Sequence, residues 1–178
     1  MPVFRKRRAR AGAPAEAPKP IRPRPPALAD RLARIAAEAA APEEALELAL
    51  RAVLEESGAH AGALCLFDPR QAVLRLAVER GLSDEGCRRL RTVRRGDPTT
   101  WDMPLHGLMN GRAYLIESAA RNRYVPRLVE PAASVRTVAC VPLNAGPLPV
   151  GSLILVAVAP RSFGEREDRK STRLNSSH

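Results

Sequence analysis

From Leu28 onward, apolar positions at Leu32, Ile35, Ala36 and Ala39 recur at helical spacing, and the alanine-rich residues between them favour a first helix. Pro42 interrupts that pattern and suits the first turn of a second helix, where Glu43 and Glu44 complement the dipole and Leu46, Leu50, Val53 and Leu54 form one face. Gly58 stops it. The period then changes. Residues 61–68 (AGALCLFD) are an apolar run closed by an Asp-Pro turn at Asp68 and Pro69, and in residues 72–79 Leu74, Leu76 and Val78 alternate with Arg75, Ala77 and Glu79. The two segments read as a hairpin.

Ser83, followed by Asp84 and Glu85, reads as the N-cap of a short helix over residues 83–90, weakened by Gly86. A basic strand over residues 91–95 is expected next, ended by Gly96, Asp97 and Pro98. Residues 103–110 form another short helix closed by Gly111, with an apolar strand at residues 113–116. Residues 117–134 are polar, contain Pro126 and Pro131, and are expected to be a long loop. Two strong strands finish the pattern, residues 135–143 (VRTVACVPL) and 150–158 (VGSLILVAV), with Asn144, Gly146, Pro147 and Pro149 in the turn. Helices first, then clustered strand pairs, imply an α+β fold on an antiparallel sheet, not alternating βαβ units.

Composition changes the picture mainly at the ends. The 178-residue chain carries 29 Lys+Arg against 19 Asp+Glu, a formal charge of +10, which invites a nucleic-acid reading. The charge is uneven, however: residues 1–26 hold eight basic residues and one acidic, whereas residues 27–167 hold 18 and 17. The body is close to neutral. The first 26 residues also hold seven of the 17 prolines, interleaved with Ala and Arg, and read as a disordered basic tail. Its cluster Arg5, Lys6, Arg7, Arg8 and Arg10 is of a kind that nucleic acid or anionic lipid holds weakly, or that merely solubilises. Residues 168–178 (DRKSTRLNSSH) lack periodicity and match, codon for codon, the translation of a common sequencing-library adapter. On that reading they are not native, and the chain is an N-terminal fragment whose natural sequence continues beyond Glu167. No apolar run approaches the length of a membrane span, and the N-terminus lacks a secretory apolar region, so a cytoplasmic location is expected. Cys65, Cys87 and Cys140 are odd in number and lack Cys-x-x-Cys spacing, which argues for reduced thiols and against a zinc site or disulfide framework.

Several segments, in order, resemble a GAF domain, the small-molecule-sensing module of bacterial signalling proteins. They are ERGLSDE at residues 79–85, GRAYLIES at 111–118, SVRTVACVPL at 134–143, VGSLILV at 150–156, and PRSFGERE at 160–167, which is similar to the start of the family's last helix. The resemblance covers residues 28–167. It implies a central antiparallel sheet of five to six strands flanked by helices, with terminal helices on one face and a ligand pocket under short helices and loops on the other. Loss of the last helix would leave apolar surface of the first two uncovered. The resemblance further implies a noncatalytic regulatory role in a bacterial signal-transduction protein, with a homodimer in the full-length molecule and an output domain beyond the fragment.

Residues placed on the ligand side by this resemblance are Trp101, His106, Met109, Tyr124, Arg136 and Cys140, which combine apolar surface with convergent polar groups. Arg136 or Arg123 would fix an anionic ligand through a bidentate contact. No cofactor is specified, and the small molecule is not identified. The Asn-Lys-x-Phe-x-x-x-Asp-Glu signature of cyclic-nucleotide binders is absent, as is the Cys-His pair of bilin attachment. His106, near Trp101, Met103, Leu105 and Met109, offers an imidazole to haem iron, but a lone His without a second ligand is not a metal signature. The family also includes reductases of free methionine sulfoxide, which require thiolates that attack and then resolve through a disulfide. Cysteine spacings of 22 and 53 residues do not cluster in that manner, and buried structural thiols are the plainer reading. A degenerate domain serving only as a dimerisation or protein-interaction scaffold is the remaining alternative. No Gly-x-Ser-x-Gly, Gly-Lys-Ser/Thr or Gly-x-Gly-x-x-Gly motif occurs, so the chain is not expected to be an enzyme.

Overall fold

A computed structural model of the chain describes residues 27–158. The basic cluster Arg5 to Arg10, the last-helix start at residues 160–167 and the adapter-like residues 168–178 lie outside that range. Two helices lead, α1 (Leu28–Glu38) and α2 (Pro42–Ser57), followed by strands β1 (Ala61–Asp68) and β2 (Val73–Arg80). Helix α3 (Asp84–Leu90), the two-residue β3 (Thr92–Val93), α4 (Met103–Asn110) and β4 (Tyr114–Glu117) come next, and β5 (Thr137–Ala145) and β6 (Leu148–Ala157) close the sheet. Pro42 sits in the first turn of α2, and Gly58 and Gly111 end α2 and α4 in the left-handed conformation.

The six strands lie in the order β3-β2-β1-β6-β5-β4, and every neighbouring pair is antiparallel. This is the expected α+β architecture. Three local differences have physical reasons. The basic strand shrinks to Thr92–Val93, because Arg94 and Arg95 already turn toward Gly96. The β5–β6 turn is tighter than expected: Asn144 pairs with Pro149 and Ala145 with Leu148, leaving only Gly146 and Pro147 between the strands. Within the long connection before β5, two single turns of 3-10 helix form at Ala119–Arg121 and Ala132–Ser134.

The period of two along each strand sorts side chains onto two faces. On one, Leu50 and Leu54 of α2 pack against Leu64, Ala139, Leu153 and Leu155. Helix α1 lies along α2 and buries none of its own residues, while Leu48 of α2 is exposed. On the other face, Ala61, Ala63, Cys65, Val138, Cys140, Ile154 and Val156 meet α3, α4 and the long connections between strands. That second face positions the candidate site.

Candidate functional site

Two polar anchors fix the elements over the second face. Ser83 caps α3, its hydroxyl accepting from the Gly86 N–H at 3.0 Å, and the same hydroxyl donates to the Arg127 carbonyl while the Ser83 N–H donates to the Leu128 carbonyl at 2.8 Å. One serine therefore both starts a helix and holds the β4–β5 connection. On β6, the buried Ser152 hydroxyl donates to the Pro104 carbonyl at 2.9 Å, pinning the first turn of α4 to the sheet. The Pro104 carbonyl oxygen has a second lone pair to offer this contact, and a buried hydroxyl without an acceptor would be costly.

Between these anchors the space against the sheet is packed. Leu90, Trp101, Leu105, Leu108, Leu128 and Val129 are all buried there in one cluster with Cys65 and Cys140. Two clefts open instead among the surface connections. One, of about 390 Å³, is lined by Gly96, Asp97, Pro98, Thr100, Trp101, Asp102, Met103 and Tyr124. The other, of about 360 Å³, is enclosed by the β4–β5 connection itself, from Ala119 to Val135. Arg123 and Tyr124 stand between them: Arg123 Nη2 donates to the Tyr124 hydroxyl at 2.6 Å, and its guanidinium lies 4.8 Å from the Tyr124 ring centre.

The residues expected to line one pocket are divided by this arrangement. Trp101 and Tyr124 share the first cleft; Trp101 is buried, and its indole N–H has no hydrogen-bond partner among the described residues. His106 lies on the exposed side of α4, where its Nδ1 is 2.8 Å from the Tyr114 hydroxyl and its ring stacks on that tyrosine. Met109 is exposed on the same helix. Arg136 precedes β5 with an exposed side chain, its backbone bonded to Ala119 and Ala157. Cys140 is buried in the core beneath the packed layer and lines neither cleft. Sequence reasoning singled out Arg123 in the β4–β5 connection but passed over Arg121, Asn122 and Arg127, which line the second cleft. The available signal was that residues 118–129 hold three arginines and no carboxylate.

The thiols are poorly placed for chemistry. Burial pushes Cys65 up to about 12 and raises Cys140 as well, the latter with a smaller contribution from Cys65 nearby. Partial burial also raises Cys87, helped by the carboxylates of Glu79 and Asp84. Cys65 and Cys140 do not lie on neighbouring strands; β6 runs between β1 and β5. No group of three or more His, Cys, Asp or Glu residues suited to a metal ion occurs among the described residues. Nor is any of their helices long and apolar enough to cross a membrane.

Comparison with known proteins matches the GAF domain family model over residues 39–174. Among solved structures, the GAF domain of an Acinetobacter phosphoenolpyruvate-protein phosphotransferase is similar, with a TM-score of 0.59 at 14% identity, covering 78% of this chain and 79% of that one. A GAF domain from A. aeolicus in an inactive state gives a TM-score of 0.57 at 13% identity over 72% and 76% of the two chains. A free methionine-R-sulfoxide reductase from Neisseria meningitidis, in complex with its substrate, gives 0.54 at 14% identity over 74% and 71%. Comparison with curated protein sequences gives no match.

Proposed function

The chain belongs to the GAF domain family, and from that premise we propose that it is a noncatalytic regulatory module of a bacterial signal-transduction protein, answering a small molecule taken up on the loop-covered face of its sheet. The observation that carries this reading is the pair of adjoining clefts on that face, which share the Arg123–Tyr124 pair. Each mixes apolar walls with a few polar groups, and both fall in the size range of small-ligand sites. A ligand there contacts the connections before α4 and before β5. The connection before β5 is tied to helix α3 through Ser83, the connection before α4 is tied to α3 through the Arg89 carbonyl, which accepts from the Trp101 N–H at 3.2 Å, and α4 is tied to the sheet through Ser152. Differential contacts with these segments are what a ligand needs to shift an equilibrium between two arrangements.

The noncatalytic part of the reading is supported by the thiols. Sulfoxide reduction by cysteine needs an attacking thiolate and a resolving partner, whereas burial keeps Cys65 and Cys140 protonated and β6 separates them. A cytoplasmic setting fits reduced cysteines. One observation favours a second reading, that the domain is a scaffold for dimerisation or protein interaction: the layer directly beneath α4 is filled by Trp101, Leu105, Leu108, Leu128 and Val129.

Thermal unfolding of the full chain against a panel of charged and uncharged metabolites separates the two. A ligand at about 100 times its Kd adds roughly 2.7 kcal/mol to the native state, a shift of several degrees for a domain of this size. The sensor reading expects at least one such shift, diminished by Tyr124→Ala. No shift across the panel, together with a dimer in light scattering, overturns it in favour of the scaffold.

A further inference from the structure

The two clefts differ in charge. The one beside Trp101 carries the carboxylates of Asp97 and Asp102, whereas the one enclosed by the β4–β5 connection carries Arg121, Arg123 and Arg127 and no carboxylate at all. Four other described arginines are ion-paired, Arg31 and Arg51 with Glu55, Arg75 with Asp68 and Arg89 with Glu85. Arg121, Arg123 and Arg127 form no ion pair among the described residues, and the guanidiniums of Arg121 and Arg127 donate no hydrogen bond there. Arg123 is already engaged with Tyr124. Three like charges around one cleft of about 360 Å³ repel one another, and an anion in the cleft relieves that repulsion.

The floor of the cleft is rigid and apolar. Ala119 and Val135 are buried, and the backbone beneath the arginines is bonded from the Ala119 N–H to the Arg136 carbonyl at 3.1 Å and from the Val125 N–H to the Asn122 carbonyl at 3.0 Å. The carbonyl of Arg127 is held by Ser83. Asn122 Oδ1 accepts from the Tyr124 N–H at 3.0 Å, which leaves the amide nitrogen of that side chain as one more donor at the cleft.

We propose that this cleft binds the phosphate end of a small phosphorylated metabolite, with Arg121 and Arg127 as its forked donors and Asn122 as a neutral one. Planar guanidiniums match phosphate oxygens two at a time, and a phosphate accepts from several donors at once. The volume, at the low end for ligand sites, leaves room for a compact organic group against Ala119, Val125 and Val135. The inference rests on the reading that this face of the sheet takes up a small molecule, and it names the chemical class.

Calorimetric titration of the full chain with inorganic pyrophosphate, at fixed ionic strength, tests it. The double variant Arg121→Gln/Arg127→Gln should weaken binding by at least about tenfold while leaving the unfolding temperature unchanged, since both side chains are exposed. Arg121→Lys/Arg127→Lys, which keeps the charge and loses the fork, should fall between that variant and the parent. Replacing Arg5, Lys6, Arg7, Arg8 and Arg10 by Gln should leave the affinity unaltered. Equal affinity in the Arg121→Gln/Arg127→Gln variant, or loss confined to the tail variant, overturns the proposal. So does a parent chain that ignores pyrophosphate; if an uncharged metabolite then still stabilises the chain, only the phosphate inference has failed, and if nothing binds, the sensor reading falls with it.

Discussion

Cys65 and Cys140 point to the same side of the sheet yet are kept apart by the full width of β6, Cys65 standing opposite Ser152 and Cys140 opposite Ile154. Two strand spacings amount to about 9.5 Å, beyond the roughly 7 Å over which Cα atoms can be bridged by a disulfide. Oxidation of the native chain with diamide is therefore expected to give no Cys65–Cys140 crosslink on peptide mapping. A thiol reagent should label only Cys87, which is partly exposed, until denaturant releases the other two. An intrachain disulfide formed under native conditions would revive the reductase reading.

The same burial predicts an alkaline limit to stability. Cys65 titrates near 9.0 as an ordinary thiol and is pushed up to about 12 in the fold, so the unfolded chain loses this proton first as pH rises. The stabilising contribution is fully present below about pH 9 and is lost as pH climbs toward 12. Cys140 contributes in the same direction. Urea unfolding midpoints should thus fall between pH 9 and pH 11, and the fall should be shallower in Cys65→Ala than in the parent, although that variant starts from a lower midpoint because it leaves a small cavity. Equal slopes would mean that the thiol is not held in a dry environment.

Helix α3 depends on its first turn meeting the β4–β5 connection. Ser83→Ala removes the cap on Gly86 and the tie to Arg127 together, and should cost about 1 to 2 kcal/mol in urea unfolding. Gly86→Ala sets helix propensity against packing. Propensity alone predicts a gain of up to about 1 kcal/mol, but a Cβ at residue 86 would lie 2.9 Å from the Leu128 carbonyl oxygen and 3.2 Å from its Cα. Those are backbone atoms fixed by Ser83, so the substitution is expected to destabilise. A stabilised Gly86→Ala variant would show that the connection moves away freely.

Most of the fold was legible because its signals are local. The Ser83 cap, the glycines closing α2 and α4, and the alternation in β2 each act within a few residues, and they placed α2, β1 and α4 at the bounds found. The antiparallel sheet was legible in the clustering of strands and in the family resemblance, but its order, β3-β2-β1-β6-β5-β4, has no local signal. The site was less legible because it depends on contacts distant in sequence. Nothing near Cys140 reveals that Leu105, Leu108 and Leu128 cover it, and nothing near Tyr124 reveals that Trp101 shares its cleft. Arg136 shows the same limit: as a β5 residue its parity would place it beside Val138 and Cys140, but it precedes the strand and its side chain is exposed.

The closest approach of two strands sets the most demanding constraint on sequence. Gly151 of β6 pairs with Leu66 of β1, and a Cβ placed on it would run into the Cys65 carbonyl oxygen, with the Leu66 Cα 3.3 Å away. These are ladder atoms in the middle of the sheet, so neither can shift without parting β1 from β6. Gly151→Ala should therefore cost about 3 kcal/mol or more, measured as the change in urea midpoint at constant slope. Gly146 is the internal control. It has open space around its Cβ position and only a positive φ of 60° to lose, so Gly146→Ala should cost about 1 to 2 kcal/mol. If the two variants lose equal stability, backbone conformation alone accounts for both, and the close contact between β1 and β6 is looser than the register implies.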